Sequence, residues 1–199
     1  MKFRNDRGFS LLELLTVIGI GMILAGISFM ALMPLLKQSH VDQAYDTTVA
    51  TIRNYRNQSV TQSRRYILTF TAPGTITVYL WGKNATPPDP APVQVATYAL
   101  PTDIQFAVQS GFPNPGPDNF GTGATAVSLN ACTVLTQNCL IFMPDGSAQD
   151  DAGNFNNGVV YLTRTGDLYS SRAVTVWGAT GRTRGWRLYN SGSNTWVQQ

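Results

Sequence analysis

The longest apolar stretch of the chain lies close to its N-terminus. From Leu11 to Leu36 there are 26 residues, and Glu13 is the single charged one among them. A helix needs about 20 apolar residues to cross the hydrocarbon core of a bilayer. The stretch exceeds the apolar region of a secretory signal, about 7–15 residues, and no small-residue cleavage site follows it. The pattern therefore predicts a membrane-spanning helix.

Beyond this stretch, the helical pattern continues as one apolar stripe. Its members recur at steps of three and four residues: Val41, Tyr45, Thr48 or Val49, Ile52, Tyr55 or Arg56, and Val60. This period is typical of an amphipathic helix with one buried face. We therefore predict one long helix over residues 9–63, whose second half packs against a sheet.

From Arg64 onward, short apolar segments alternate with turns rich in Gly and Pro, a pattern typical of strands. The predicted strands are Tyr66–Phe70, Thr75–Trp81, Val93–Leu100, Ile104–Val108, Leu140–Met143, Val159–Thr163, Ala173–Trp177, Trp186–Tyr189 and Thr195–Val197. Residues 84–92 and 111–123 are predicted to be long loops. Together, these elements predict an α+β fold in which a long N-terminal helix packs on an antiparallel β-sheet.

Glu13 is costly inside an apolar segment, because a carboxylate in the membrane interior is unfavourable by a few kcal/mol. A positive partner would offset this cost. Cleavage of the chain between Gly8 and Phe9 would create one, since the new α-amino group of Phe9 would lie four residues before Glu13.

These residues resemble the N-termini of type IV pilins and type II secretion pseudopilins: a basic leader ending in Gly8, Phe9 as the first mature residue, and Glu13 at the fifth mature position. The resemblance implies cleavage after Gly8 and N-methylation of Phe9 by a prepilin peptidase. It also implies that Glu13 neutralises the Phe9 amine of a neighbouring pilin or pseudopilin during assembly. The alternative is a single-pass anchor with a chance acidic residue.

The resemblance divides the chain into four parts. Residues 1–8 are the prepilin leader, 9–36 the transmembrane or filament-core half of the helix, 37–63 its amphipathic half, and 64–199 the β-rich domain. Basic residues before the apolar stretch place the N-terminus in the cytoplasm. We therefore expect a single pass through the inner membrane, a periplasmic C-terminal domain, and an extracellular filament after assembly.

The C-terminal third carries a second resemblance. Phe142-Met143-Pro144-Asp145-Gly146-Ser147 is followed by Gly158-Val159-Val160-Tyr161-Leu162, then by Arg172-Ala173-Val174-Thr175-Val176 and Gly181-Arg182-Thr183-Arg184. This order resembles the GspH/FimT family, which joins the H-type pseudopilins of type II secretion with FimT/FimU-type minor pilins. Two functions stay open: a minor pilin that binds DNA for natural transformation, or an H-type pseudopilin that acts in protein export without binding DNA.

The segment Gly181-Arg182-Thr183-Arg184 is similar to the Gly-Arg-x-Arg motif with which FimT-type minor pilins bind double-stranded DNA. Residues two apart on a strand point the same way, so Arg182 and Arg184 can present two guanidinium groups to one phosphate backbone. Gly181 and Gly185 would allow a close approach of the ligand, and Arg187, Arg164 and Arg172 are candidates to extend the patch. Alternatively, Arg182 and Arg184 solvate an edge strand or pair with aspartates.

Charge along the chain agrees with a basic C-terminal surface. Between Lys83 and Arg164 there are six aspartates and no Lys or Arg, whereas residues 155–199 contain five arginines and one acid, Asp167. This asymmetry predicts one face with a positive field.

Cys132 and Cys139, the only cysteines, are separated by six residues and are predicted to form a disulfide in an oxidising compartment. Two cysteines and a distant His40 do not make a four-ligand zinc site, so no metal is expected. Ser147 has no evident base, and the Asp150–Asp151 pair is isolated. We therefore predict no enzymatic activity and no cofactor.

Overall fold

The computed structural model describes residues 10–82 and 89–199, with the backbone alone for residues 31–36. The chain divides into two compact units, Met1–Ser39 and His40–Gln199. The predicted Gly8–Phe9 junction and residues 84–88 of the first predicted loop lie outside the described residues.

Helix α1 extends over Leu11–Gln62. Ser10 caps its start, because the Ser10 hydroxyl oxygen accepts a hydrogen bond of 3.2 Å from the backbone N–H of Glu13. Within the first unit, Leu11–Met30 has a mean hydropathy of 2.1 and is long and apolar enough to cross a membrane. The large apolar side chains of this stretch are 49–83% exposed, so no other described part of the chain covers them.

In the second unit, α1 buries the predicted stripe. The fully or nearly buried side chains are Val41, Ala44, Thr48, Val49, Thr51, Ile52, Tyr55 and Ser59. The prediction is wrong at its last step, because Val60 is 46% exposed and Ser59 is buried instead. Ser59 comes four residues after Tyr55, and its hydroxyl donates hydrogen bonds to the carbonyl oxygens of Arg56 and Met143. A small hydroxyl side chain therefore closes the stripe.

The described part of the chain contains twelve strands. They are β1 (Arg65–Thr71), β2 (Thr75–Trp81), β3 (Val93–Ala99), β4 (Ile104–Gln105), β5 (Val127–Ser128), β6 (Ala131–Cys132), β7 (Gln137–Phe142), β8 (Ala148–Gln149), β9 (Gly158–Arg164), β10 (Asp167–Trp177), β11 (Arg182–Asn190) and β12 (Asn194–Gln198). The first sheet has the order β3-β2-β1-β7-β6, with β8 beside β7, and the second has the order β12-β11-β10-β9-β4, with β5 beside β9. The predicted α+β arrangement of a long helix and antiparallel strands is confirmed, but with two sheets.

The observed strands differ from the predicted ones in number, in length and in starting residue. β5, β6 and β8 were not predicted, because two residues are too few to show an alternating pattern. The strand predicted at Ile104–Val108 ends at Gln105. β11 starts at Arg182, four residues before the predicted Trp186, so that the arginine motif itself lies on a strand.

Strands β1 and β7 of the first sheet are buried on both faces. Tyr66, Leu68 and Phe70 of β1 point into the main core, which contains the α1 stripe and apolar residues of both sheets. Ile67 and Ile141 point the opposite way and pack against Cys132 and Cys139. Burial on both faces explains why β1 is apolar at successive positions and does not alternate.

The second sheet is covered in the same way. Val160, Leu162, Val174 and Val176 join the main core on the face toward α1. On its other face, hereafter the outer face, Val159, Tyr161 and Ala173 are buried beneath Val108, Phe112, Phe120, Trp186 and Trp196. Two of these covering residues, Phe112 and Phe120, come from the predicted loop 111–123, so this loop closes the core.

An ion pair joins the second half of α1 to β10. The Arg172 side chain is 1% exposed, and its Nη2 lies 2.7 Å from Oδ1 of Asp42. Its Nη1 donates to the Ser170 carbonyl oxygen at 2.8 Å. Burial lowers the pKa of Arg172 and the hydrogen bond to Asp42 opposes this shift. The pair therefore compensates a buried charge at the helix–sheet contact.

Candidate functional site

Glu13 lies in the first turn of α1, within the exposed apolar stretch. Its carboxylate has no hydrogen-bond or ion-pair partner in the ranges that the structure describes. A negative charge near a helix N-terminus is favourable, because the helix dipole is positive there. Gly8 and Phe9, the predicted processing residues, lie outside the described residues.

The arginine motif lies at the start of β11, which pairs with β10. Arg182 is opposite Trp177 and Arg184 is opposite Thr175 in this antiparallel register. Since side chains alternate along a strand, Arg182 and Arg184 point to the outer face of the second sheet, whereas Thr183 and Gly185 point toward α1. The structure therefore brings the two predicted arginines onto one face, as the strand periodicity implied.

Gly181 and Gly185 lie where β11 packs closely against other parts of the chain, and neither position has room for a side chain. Gly185 has no room for a Cβ, since that atom would overlap the Tyr45 hydroxyl. Gly181 has a φ of +61°, and a Cβ there would overlap the carbonyl oxygen of Gly146. Packing against α1 and against the turn at Gly146 thus accounts for both glycines.

Arg184 is neutralised within the protein. Its Nη1 lies 2.7 Å from Oδ1 of Asp118, and the two side chains are 27% and 6% exposed. Asp118 also accepts hydrogen bonds from the Thr175 hydroxyl at 2.7 Å and the Trp177 indole N–H at 3.2 Å. Asp118 belongs to a short 3-10 turn, Pro117–Asn119, in the loop that covers the outer face. The alternative that an arginine of the motif pairs with an aspartate therefore applies to Arg184.

Arg182 differs from Arg184 in both exposure and pairing. Its side chain is exposed, and its guanidinium has no acidic partner among the described residues. Its backbone N–H donates to the Thr180 hydroxyl at 3.2 Å. One of the two charges of the motif is thus available to an external anion.

The three arginines predicted as extensions of the patch lie elsewhere. Arg187 is opposite Arg172 in the β10–β11 register, which places both on the face toward α1, and its guanidinium carbon lies 5.2 Å from the Tyr189 ring centroid. Arg164 forms an ion pair with Asp103 at 3.4 Å. Asp103 also contacts His40 at 2.9 Å. The structure does not bring these arginines onto the surface of Arg182.

Cys132 and Cys139 form a disulfide with their Cα atoms 5.7 Å apart. Both side chains are fully buried. They pack with Ile67 and Ile141 on the first sheet, so the bridge fixes the short β6–β7 connection as a cover for that sheet.

The acidic residues of the nearby turns hold backbone atoms in place. Hydrogen bonds from the hydroxyl and the backbone N–H of Ser147 hold the pKa of Asp145 below its usual value. Burial acts to raise the pKa values of Asp150 and Asp151, but hydrogen bonds to each carboxylate outweigh it and lower both. Within residues 10–82 and 89–199, no cluster of three His, Cys, Asp or Glu side chains could hold a metal.

Comparison with known proteins identifies the N-terminal part of the chain. Residues 3–29 match the family described as the prokaryotic N-terminal methylation motif. No curated protein and no solved structure matches the chain. The motif implies association with other pilins and processing by a prepilin peptidase, and it fits an anchor in the inner membrane. Motif, apolar helix and α+β arrangement together support a type IV pilin-like or pseudopilin-like protein.

Proposed function

We propose that this protein is a low-abundance subunit of a type IV filament, either a minor pilin or an H-type pseudopilin of the GspH/FimT kind. One observation carries the proposal: Leu11–Met30 is an exposed apolar helix segment in which Glu13 is the single charged residue, within the methylation motif at residues 3–29. A simple membrane anchor gains nothing from an acid at this position.

Processing and assembly follow from the same residues. Hydrolysis of the Gly8–Phe9 peptide bond releases the basic leader and gives Phe9 a free α-amino group. In the membrane, Glu13 lies in a medium of low dielectric constant, where an unpaired carboxylate is unfavourable. The Phe9 amine of an adjacent subunit supplies the opposite charge, and pairing offsets the desolvation of both groups. The apolar side chains of the helix then pack against those of its neighbours.

The assembly role can be tested by changing Glu13 without changing its size. Glu13→Gln should remain in the membrane fraction but be lost from sheared filaments, because the amide cannot neutralise the amine. Glu13→Asp, which keeps the charge, is the matched control and should retain measurable incorporation. Incorporation of Glu13→Gln at the wild-type amount would contradict the proposal.

The exposed guanidinium of Arg182 supports DNA binding as a second candidate function. Such binding would be independent of sequence and weakened by salt, because it rests on phosphate contacts. Labelled duplex DNA can be titrated with wild type and with the Arg182→Gln/Arg184→Gln variant, after circular dichroism has verified that both are folded. Equal binding by both proteins, or no binding by wild type at low salt, would leave the export pseudopilin as the remaining role.

A further inference from the structure

A cavity of about 340 Å³ lies between the second half of α1 and the start of β11. Its walls are formed by Arg53, Arg56, Asn57, Gly181, Arg182 and Thr183. Arg53 and Arg56 bring positive charge to the cavity from α1. Arg182 borders it at the start of β11, where its side chain points to the outer face.

The two arginines of α1 reach the cavity for a simple geometric reason. Arg53 and Arg56 are three residues apart and therefore lie on the same side of the helix, next to Asn57. Arg53 is exposed and Arg56 is half-buried. Nε of Arg56 donates to the carbonyl oxygens of Gly146 at 3.2 Å and Thr180 at 3.0 Å. These two bonds fix the guanidinium of Arg56 and leave its terminal nitrogens for another acceptor.

The positive charges are not balanced within the described residues. Arg53, Arg56 and Arg182 make no ion pair there. Asp145, in the turn that Arg56 contacts, directs its carboxylate to Ser147 instead. The guanidinium groups of Arg53 and Arg56 repel each other, and an anion between them removes that repulsion.

Thr183 adds a neutral donor to the wall of the cavity. It is 9% exposed, and its hydroxyl oxygen is buried without a hydrogen-bond partner in the described residues. A buried hydroxyl without a partner is unfavourable by about 1–3 kcal/mol, so a ligand oxygen that accepts its proton would be stabilising. Access is provided by the strand arrangement, because β12 pairs with Trp186–Asn190 and leaves the Arg182 end of β11 uncovered.

We propose that this cavity is a phosphate-binding site, in which Arg53 and Arg56 bind the oxygens of a phosphate group. Planar guanidinium groups match phosphate oxygens in pairs, and the surplus of positive charge favours this group over a single carboxylate. The site is independent of the filament role. For the DNA-binding candidate, this site places the main phosphate contacts on the side of β11 that adjoins α1. They do not lie on the outer face, where Asp118 neutralises Arg184.

The test uses the full chain in a zwitterionic detergent. Arg53→Gln should weaken duplex DNA binding about tenfold and reduce the salt slope of log K by about 1. Arg64→Gln removes the same charge from an exposed arginine outside the cavity, and it should bind within about twofold of wild type. Arg184→Gln should also stay close to wild type, provided that circular dichroism shows it folded.

Smaller probes distinguish the sources of the phosphate group. Inorganic phosphate and glycerophosphoglycerol, the soluble headgroup of an anionic lipid, should each bind wild type and lose affinity with Arg53→Gln. Binding of these probes without binding of DNA would support the site and remove the DNA role. DNA binding that Arg53→Gln leaves unchanged would overturn the site but not the DNA role. Competition by polyglutamate as strong as that by DNA of equal charge would also overturn the assignment to phosphate.

Discussion

The two units of this chain differ in the exposure of their apolar side chains. In the first unit, every large apolar side chain of Leu11–Met30 is at least 49% exposed. In the second unit, α1 and both sheets bury their apolar residues in one main core and two smaller clusters on the outer sides of the sheets. The first unit therefore requires an apolar environment from outside the chain, whereas the second supplies its own.

Charged residues follow the same division. Glu13 has no partner within the described residues, but in the second unit the buried Arg172 and Asp118 are each paired. We propose that the partner of Glu13 lies on another molecule, whereas the paired buried charges stabilise the fold itself. Under this proposal, Glu13 serves assembly, and Arg172 and Asp118 serve the stability of the domain.

The largest expected effect comes from removing the first unit altogether. A protein containing residues 40–199 alone should fold with a free energy of unfolding within about 0.5 kcal/mol of that of the full chain, because no core residue is lost. Its incorporation into filaments should be abolished. Urea titration and filament shearing measure the two outcomes. An unfolded fragment would break the comparison, since it would show that the second unit depends on the first.

Removal of the disulfide should destabilise the second unit by about 2–3 kcal/mol, because the bridge restricts the unfolded chain. The Cys132→Ala/Cys139→Ala variant should therefore unfold at lower urea concentration, while its membrane insertion is unchanged. Reduction of wild type with dithiothreitol is the matched condition and should give a similar shift. Two free thiols in unreduced periplasmic protein would contradict the bridge.

Asp42→Ala should destabilise the second unit by about 2 kcal/mol, because it leaves Arg172 charged and buried without its partner. We place the effect below that of a fully buried pair, since the Asp42 side chain is 50% exposed. Asp46→Ala, an exposed aspartate on the same helix, is the control and should change stability by less than about 0.5 kcal/mol. Equal effects of the two substitutions in thermal unfolding would show that the ion pair does not hold α1 on β10.

The smallest expected effect concerns acidification of the second unit. The pKa values of Asp145, Asp150 and Asp151 are lowered in the folded protein. Their stabilising contribution is complete above the unfolded pKa of about 3.9, and it is lost as the pH falls through the lower folded values. Unfolding by urea at about pH 5 and about pH 3 should show this loss. Asp150→Asn/Asp151→Asn should flatten the dependence, and an unchanged slope would contradict the assignment.

Much of this fold can be predicted from the sequence, because the spacing of apolar residues reflects which side chains are buried. The apolar stretch, the stripe from Val41 to Tyr55 and most long strands follow from repeats of 3.6 and 2 residues. The two-residue strands β5 and β6 do not, since their positions depend on contacts distant in sequence. Ser59 takes the place of Val60 in the stripe, because a hydroxyl can bond to the carbonyl oxygens of Arg56 in α1 and of Met143, which directly follows β7.

The candidate site was less predictable for a related reason. The motif located Arg182 and Arg184 on one strand face, but the different states of the two arginines depend on Asp118, which is 66 residues away from Arg184. Nothing local in the sequence indicates that contact. Likewise, Arg53 is an ordinary charge on the polar side of a predicted helix and Arg56 a position of its predicted stripe, and the fold alone brings them beside Arg182. The arginines of the C-terminal third therefore predict a basic surface, but they do not predict which residues form it.

The mass of the N-terminal peptide in sheared filaments decides whether this chain is a processed filament subunit. We expect a mature chain that begins at Phe9 and carries one additional methyl group on its α-amine. The same peptide from cells without prepilin peptidase should retain residues 1–8, and the protein should then be absent from filaments. A filament-borne chain that begins elsewhere, or a protein found only in membranes of peptidase-competent cells, would contradict the account.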